Sequence, residues 1–189
     1  MVNSIRSKLQ REENIFVHQH VDTICTKEFP HTFNHLGRRI GPFIIGHPYR
    51  LEQFVARIFV EQGYLRFDEK GMVNSGAIQK INFQESTNPE LKKIQEYVYV
   101  QGLEQLNILN KLDNGSNQSY RRDYRKLLSD LNDLIRVRLA KITRLANQTP
   151  DMKSKKLLTP EELILYESIS DAIQQWREHL GNPSFQQIK

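Results

Sequence analysis

Five of the six histidines fall between residues 18 and 47: His18, His20, His31, His35 and His47, with the single cysteine, Cys25, among them. Imidazole and thiolate are zinc ligands. His18 and His20 would share one face of a strand, and His31 and His35 one turn of a helix. Their spacing follows no zinc pattern, and there is no second cysteine to complete one. These side chains are therefore read as hydrogen-bonding or surface groups, with no metal and no cofactor. The acids Asp130, Asp133, Glu161 and Glu162 fall on helix surfaces or at a helix start, where carboxylates are ordinarily solvated or capping. The chain carries no Gly-x-x-x-x-Gly-Lys loop, no Gly-x-Gly-x-x-Gly, no His-Glu-x-x-His and no Gly-x-Ser-x-Gly. Nothing in this set points to catalysis, so an enzyme is not expected.

Basic residues are the second candidate. Arg121, Arg122, Arg125 and Lys126 cluster at the start of one stretch, and Arg138, Lys141 and Arg144 step by three along it. Such a stripe could follow a phosphate backbone. Asp123, Asp130 and Asp133 interleave with it, however, and a basic start opposes the dipole of its own helix. A solvated or intersubunit ion-paired face is the favoured reading, with nucleic-acid contact second. The net charge of +5 is spread evenly: residues 1–87 hold 11 basic and 9 acidic side chains, so neither half is a dedicated basic tail.

The element that carries this stripe is the best patterned in the chain. Tyr124, Leu127, Leu128, Leu131, Leu134, Ile135, Leu139, Ile142 and Leu145 recur three and four residues apart, with no proline or glycine from Ser119 to Ala146. That spacing predicts a long amphipathic helix over 119–147. Behind it, Thr159-Pro160-Glu161-Glu162 forms a capping box with proline at the first helical position. The helix that follows presents Leu163, Tyr166, Ile169, Ile173, Trp176 and Leu180.

Toward the N-terminus the pattern shortens. Residues 1–12 read as frayed or a short helix, and Ile15–Thr26 alternates as one or two strands. The glycines and prolines of 36–51 cut that stretch into short extended pieces. Leu51, Phe54, Val55, Ile58 and Phe59 share a helical face that Gly63 ends, and Tyr64–Phe67 closes the module as a strand. Residues 69–87 are polar and irregular, which suggests a linker. Asn88-Pro89-Glu90 looks like the start of a helix running to about Lys111. The fold class is thus mainly α. A small N-terminal α+β module (13–68) is followed by a linker (69–87) and a C-terminal helical-bundle domain (88–189). No apolar run approaches the roughly 18–20 residues that span a bilayer. With a lone cysteine and no apolar leader, the expectation is an intracellular protein. Three long helices with wide apolar faces make a thin bundle, and such helices complete their burial in a partner.

Two stretches resemble a known family. Gly41-Pro42-Phe43-Ile44-Ile45-Gly46, leading into Leu51–Phe59, resembles the small β-rich domain of GINS complex subunits. Arg138-Leu139-Ala140-Lys141-Ile142 resembles the family's core-helix pattern Arg-x-x-Lys-Ile/Leu, and a loop with a Leu-Thr-Pro-Glu-Glu helix follows it here as there. The small module stands first, as in the second and third partners of Sld-five and their archaeal counterpart. The usual Leu-Pro-x-Trp before the small domain's helix is replaced by Tyr49–Phe54. The resemblance implies a non-catalytic subunit that scaffolds and activates the MCM replicative helicase at the fork. Its implied partners are sister GINS subunits in a tetramer, the MCM helicase, a Cdc45/RecJ-like protein, and primase or DNA polymerase. Its location would be the nucleus, or the cytoplasm and nucleoid of an archaeon. On this reading Leu131, Leu134, Ile135, Arg138, Lys141, Ile142, Tyr166, Ile169 and Trp176 form the subunit interface, and Gly41, Pro42, Phe43 and Phe54 dock the small domain. Arg121, Arg122, Arg125 and Lys126 are the candidate DNA contacts. The alternative is a stand-alone basic DNA- or RNA-binding protein.

Overall fold

The computed structural model describes residues 4–68, 73–112, 118–148 and 152–181. In chain order the elements are α1 (Ile5–Val17), β1 (His20–Cys25), β2 (Phe33–His35), β3 (Arg38–Ile40), β4 (Pro48–Glu52), α2 (Gln53–Glu61) and β5 (Leu65–Phe67). They continue with α3 (Ser75–Thr87), α4 (Val98–Leu112), α5 (Gln118–Ala146), α6 (Met152–Lys155) and α7 (Pro160–Gly181). Among the described residues no helix is long and apolar enough to cross a membrane. The chain forms two compact units. Among the described residues, one joins those of 13–74 to those of 100–124, and the other joins those of 4–12, 75–99 and 125–181.

In the first unit, β1 lies at the centre of an antiparallel sheet in the order β4-β1-β5. The register runs from His20↔Glu52 to Ile24↔Pro48 on one side and from Thr23↔Phe67 to Cys25↔Leu65 on the other. Alternation along β1 turns Thr23 and Cys25 inward. Thr23 remains satisfied there because its hydroxyl donates to the Tyr49 carbonyl at 2.9 Å. Cys25, Phe43, Leu51, Val55, Ala56, Phe59, Leu65, Phe67 and Ile108 make the core. Phe43 sits edge-on to Phe59 at 4.9 Å and Phe29 packs on both, an aromatic arrangement that favours tilted rings. Beside it β2 and β3 form a separate hairpin. Gly41 joins hairpin to core at φ +82°, where a Cβ would stand 2.4 Å from the His31 carbonyl oxygen. Only glycine fits that backbone.

The second unit is helical. On α5, Leu127, Leu131, Leu134, Arg138, Ile142 and Ala146 face inward. Ile142, Ala146 and Tyr166 form a core cluster with Leu145, Leu158, Leu163, Leu165, Ile169 and Ile173. Helices α5, α2 and α7 follow the spacing of their apolar residues.

Three stretches differ from expectation. Of the two readings of the N-terminus the short helix is the one seen, as α1, but it runs on to Val17, with Leu9, Glu12 and Phe16 turned inward, so β1 starts only at His20. Most of the expected linker is the helix α3. Residues 88–97, expected to open a helix, are not helical, and α4 begins at Val98. Residues 69–72 of the expected linker, the loop at 113–117 and residues 149–151 lie outside the described residues.

Candidate functional site

Arg138 sits on the apolar face of α5, one turn from Leu134 and Ile142, and is 1% exposed. A buried guanidinium must find partners for its donors or unfold the site. All five N–H groups have them. Nε donates to Glu162 Oε1 at 2.7 Å, and Nη2 to Glu162 Oε2 at 2.5 Å and to the Leu157 carbonyl at 3.2 Å. Nη1 donates to Glu85 Oε1 at 3.1 Å and to the Lys92 carbonyl at 2.8 Å. The pair with Glu162 is a bidentate fork, the strongest form of ion pair.

Lys141, one turn along α5, is equally saturated. Its ammonium donates to Glu85 Oε2 and the Glu85 carbonyl, both at 2.7 Å, and to the Glu90 carbonyl at 2.9 Å. Three donors meet three acceptors. Arg144 reaches the Pro89 carbonyl.

Glu162 is saturated in turn. Besides Arg138 it accepts the Tyr99 hydroxyl at 2.6 Å and the Thr159 N–H at 3.0 Å. Thr159 Oγ1 accepts the Glu162 N–H at 3.3 Å and completes the capping box of α7. Glu85 Oε1 also accepts the Lys92 N–H at 3.0 Å. Two cations thus meet two carboxylates with no net charge left over. Burial alone would lower the Arg138 pKa, but the hydrogen bond and charge of Glu162, with the charge of Glu85, raise it instead. Burial first, and then the Glu162 carboxylate, push the Tyr99 phenol far above its ordinary range, so it stays a donor. A network with every donor and acceptor engaged has none to spare for a substrate. It ties α3, residues 88–92, α5 and the start of α7 into one piece.

The expected interface residues divide accordingly. Leu131, Leu134, Arg138, Ile142 and Tyr166 are buried within this chain's own helical unit, and Lys141 is nearly so. They hold the unit together. Ile169 is half-buried, whereas Ile135 at 47% and Trp176 at 64% are exposed. Of the expected docking residues, Phe43 is enclosed in the small module's core, Gly41 meets the steric demand described above, Pro42 is exposed and Phe54 is half-buried. Arg121, Arg122, Arg125 and Lys126 lie on the exposed side of α5 with Asp123 among them. His18 pairs with Glu52 at 3.4 Å and His20 with Arg38 at 3.2 Å, and among the described residues no group of three or more His, Cys, Asp or Glu converges to hold a metal.

Glu85 falls in the stretch expected to be a linker, Glu162 in the expected capping box, and Tyr99 within the helix expected from residue 88 to about Lys111. One signal pointed to the two carboxylates. Arg138 occupies an otherwise apolar helix face, and a cation there requires carboxylates from elsewhere in the chain.

In the small unit, Gln53 donates to Glu104, and Arg57 lies 3.6 Å from the same carboxylate. Burial nonetheless raises the Glu104 pKa, outweighing the Gln53 hydrogen bond and the Arg57 charge. A carboxyl whose folded pKa lies above its unfolded value binds protons more tightly when folded, so its contribution to stability declines as pH rises through that interval. Glu104→Gln should therefore flatten the loss of stability from about pH 4.5 upward. Urea unfolding of parent and variant at pH 4.5 and 7 checks this, and an unchanged pH slope would count against it.

The described residues thus define a mainly helical protein with a small sheet-bearing module, its helical unit built around a saturated ion network. Residues 72–181 match the family model described as "Sld5: GINS complex protein helical bundle domain". That match covers more than half of the chain, which therefore belongs to the GINS complex family. No curated protein matches it. The chain is a subunit of a DNA replication GINS complex, with other GINS subunits as partners. The matched segment includes α3 and so takes in Glu85, together with Arg138, Lys141 and Glu162.

Proposed function

We propose that this chain is a non-catalytic, intracellular scaffold subunit that joins sister GINS subunits in a tetramer and activates the MCM helicase at the replication fork. It would act beside a Cdc45/RecJ-like protein and link to primase or polymerase, as a subunit of the small-domain-first type. The observation that carries the reading is the division of the α5 surface. One face is saturated by this chain's own groups, while Leu128, Ile135 and Leu139 form an exposed apolar stripe seven and four residues apart. On α7 Trp176 and Leu180 are exposed as well. Exposed large apolar residues at helical spacing favour protein association over solvation.

The test separates folding from assembly. Ile135→Asp with Trp176→Asp should leave stability within about 1 kcal/mol of the parent, since both side chains are exposed, yet abolish co-purification with sister subunits. Unimpaired assembly would refute the interface. The second reading, a stand-alone nucleic-acid binder, rests on the exposed Arg121, Arg122, Arg125 and Lys126. It requires the isolated chain to hold DNA with an affinity that falls steeply with salt, and Arg121, Arg122 and Arg125 to glutamine to remove that binding while leaving assembly intact.

A further inference from the structure

The small module carries an open groove of about 360 Å³ between the β2–β3 hairpin and α2. Phe29, Phe33 and His35 line one side, and Phe54, Ile58 and Phe59 the other. Two features set it apart from an ordinary surface hollow. The first is a polar atom inside an apolar wall. His35 Nε2 is shut off from solvent with no hydrogen-bond partner, and its ring stands edge-on to Phe54 at 5.1 Å. A polar group placed so is a site where an incoming donor or acceptor recovers a lost hydrogen bond.

The second feature is charge. From Pro30 to Leu51 the chain has no Asp or Glu, but it carries Arg38, Arg39 and Arg50 with His31, His35 and His47. The hairpin register pairs His35 with Arg38, which brings a cation onto the same face of the hairpin as the groove. Across from it Ile58 is 45% exposed at the groove edge. An apolar slot whose hairpin flank carries cations and no acid complements an acidic ligand with an apolar anchor.

We propose that this groove docks a short segment of a partner protein that presents one bulky apolar side chain flanked by Asp or Glu. The anchor fills the slot against Phe33, Phe54 and Ile58. The acids face Arg38, and a polar group of the segment completes His35 Nε2. This rests on the scaffold role proposed above for the chain and adds a second surface to it. It is independent of the exposed α5 and α7 residues, so either proposal can fail alone.

The test pans a displayed library of random peptides on the immobilised full chain, then measures binding of the enriched peptide by fluorescence anisotropy. Enrichment of Leu, Phe or Trp flanked by acids is expected, with binding weakened by salt. Ile58→Glu should weaken it about tenfold or more, as loss of an anchor contact does. Arg38→Glu, at an exposed position, should weaken it as well, whereas Ile135→Asp should not. Enriched peptides without acids or without an apolar anchor, or binding unaffected by Ile58→Glu, would overturn the proposal. So would self-association of the chain that Ile58→Glu abolishes, since a second copy would then be the occupant. Displacement of the peptide by a DNA oligonucleotide would also overturn it, assigning the basic flank to phosphate.

Discussion

Arg138→Leu is expected to destabilise the helical unit by about 3–5 kcal/mol, because it leaves the Glu162 and Glu85 carboxylates buried with one cation between them. For a chain of this length that is a fall in Tm on the order of 10 °C. Leucine fits the apolar surroundings, so the loss comes from stranded charge and not from a poor fit. Arg138→Lys tests the geometry: it keeps the charge but replaces five planar donors with three on a flexible stem, and cannot reproduce the fork on Glu162. It should fall between parent and Arg138→Leu. Adding Glu162→Gln to Arg138→Leu should recover part of the loss, since a neutral amide is less costly to strand than a carboxylate and Glu85 keeps its pair with Lys141. Thermal melts followed by circular dichroism measure all of these. An Arg138→Leu protein that melts within a degree of the parent would show that the network contributes nothing. The same series bears on the family pattern Arg-x-x-Lys. Its two cations bind this chain to itself, so their replacement should harm folding before it harms partner binding.

Gly41→Ala is expected to loosen the small module by more than the roughly 1–3 kcal/mol that a non-glycine residue pays for a positive φ. The excess comes from the added Cβ, which would meet the His31 carbonyl oxygen at 2.4 Å, a backbone atom that cannot swing aside. Gly46 is the internal control. Its φ of +81° carries the same conformational cost, but a Cβ there meets nothing within 4 Å. The difference between Gly46→Ala and Gly41→Ala therefore isolates the steric contribution. Hydrogen exchange at β1 and its partners β4 and β5 would report it, with faster exchange in Gly41→Ala than in Gly46→Ala. Equal exchange in the two variants would mean that the hairpin shifts freely and that the close approach is not required.

Some of this architecture is legible from residue spacing and some is not. Helices α2 and α5 bury one apolar face, and α7 carries its own capping box, so periodicity and local chemistry locate them. Helix α3 gives no such sign. Of its apolar residues Ile78 is buried while Phe83 is exposed, and polar contacts attach the helix. Ser75 and Gln79 reach the Asp130 side chain, and Asn82 donates to the Asp130 carbonyl. A helix held by hydrogen bonds to another segment leaves no apolar stripe to read. The segment after it misleads in the opposite sense. Asn88-Pro89-Glu90 has the composition of a helix start, but the carbonyls of Pro89, Glu90 and Lys92 accept donors from Arg144, Lys141 and Arg138. Long-range donors satisfy those carbonyls, so the chain stays non-helical until Val98.

Residue order alone settled the class of the protein: an α-rich chain with a glycine-proline module in front, a long amphipathic helix carrying Arg138-x-x-Lys141, and a capped helix behind. Those are local properties, set by spacing along one element. Which face of α5 is core and which is free was decided only by tertiary structure. Leu134 and Ile135 are neighbours with the same apolar character, yet the first is fully buried and the second 47% exposed. The role of Arg138 was decided the same way. Its charge suggested a surface, but Glu85, Tyr99 and Glu162, distant in sequence, surround it and let a guanidinium stay buried. Burial is a property of what packs against a residue, and no spacing within a single helix contains that.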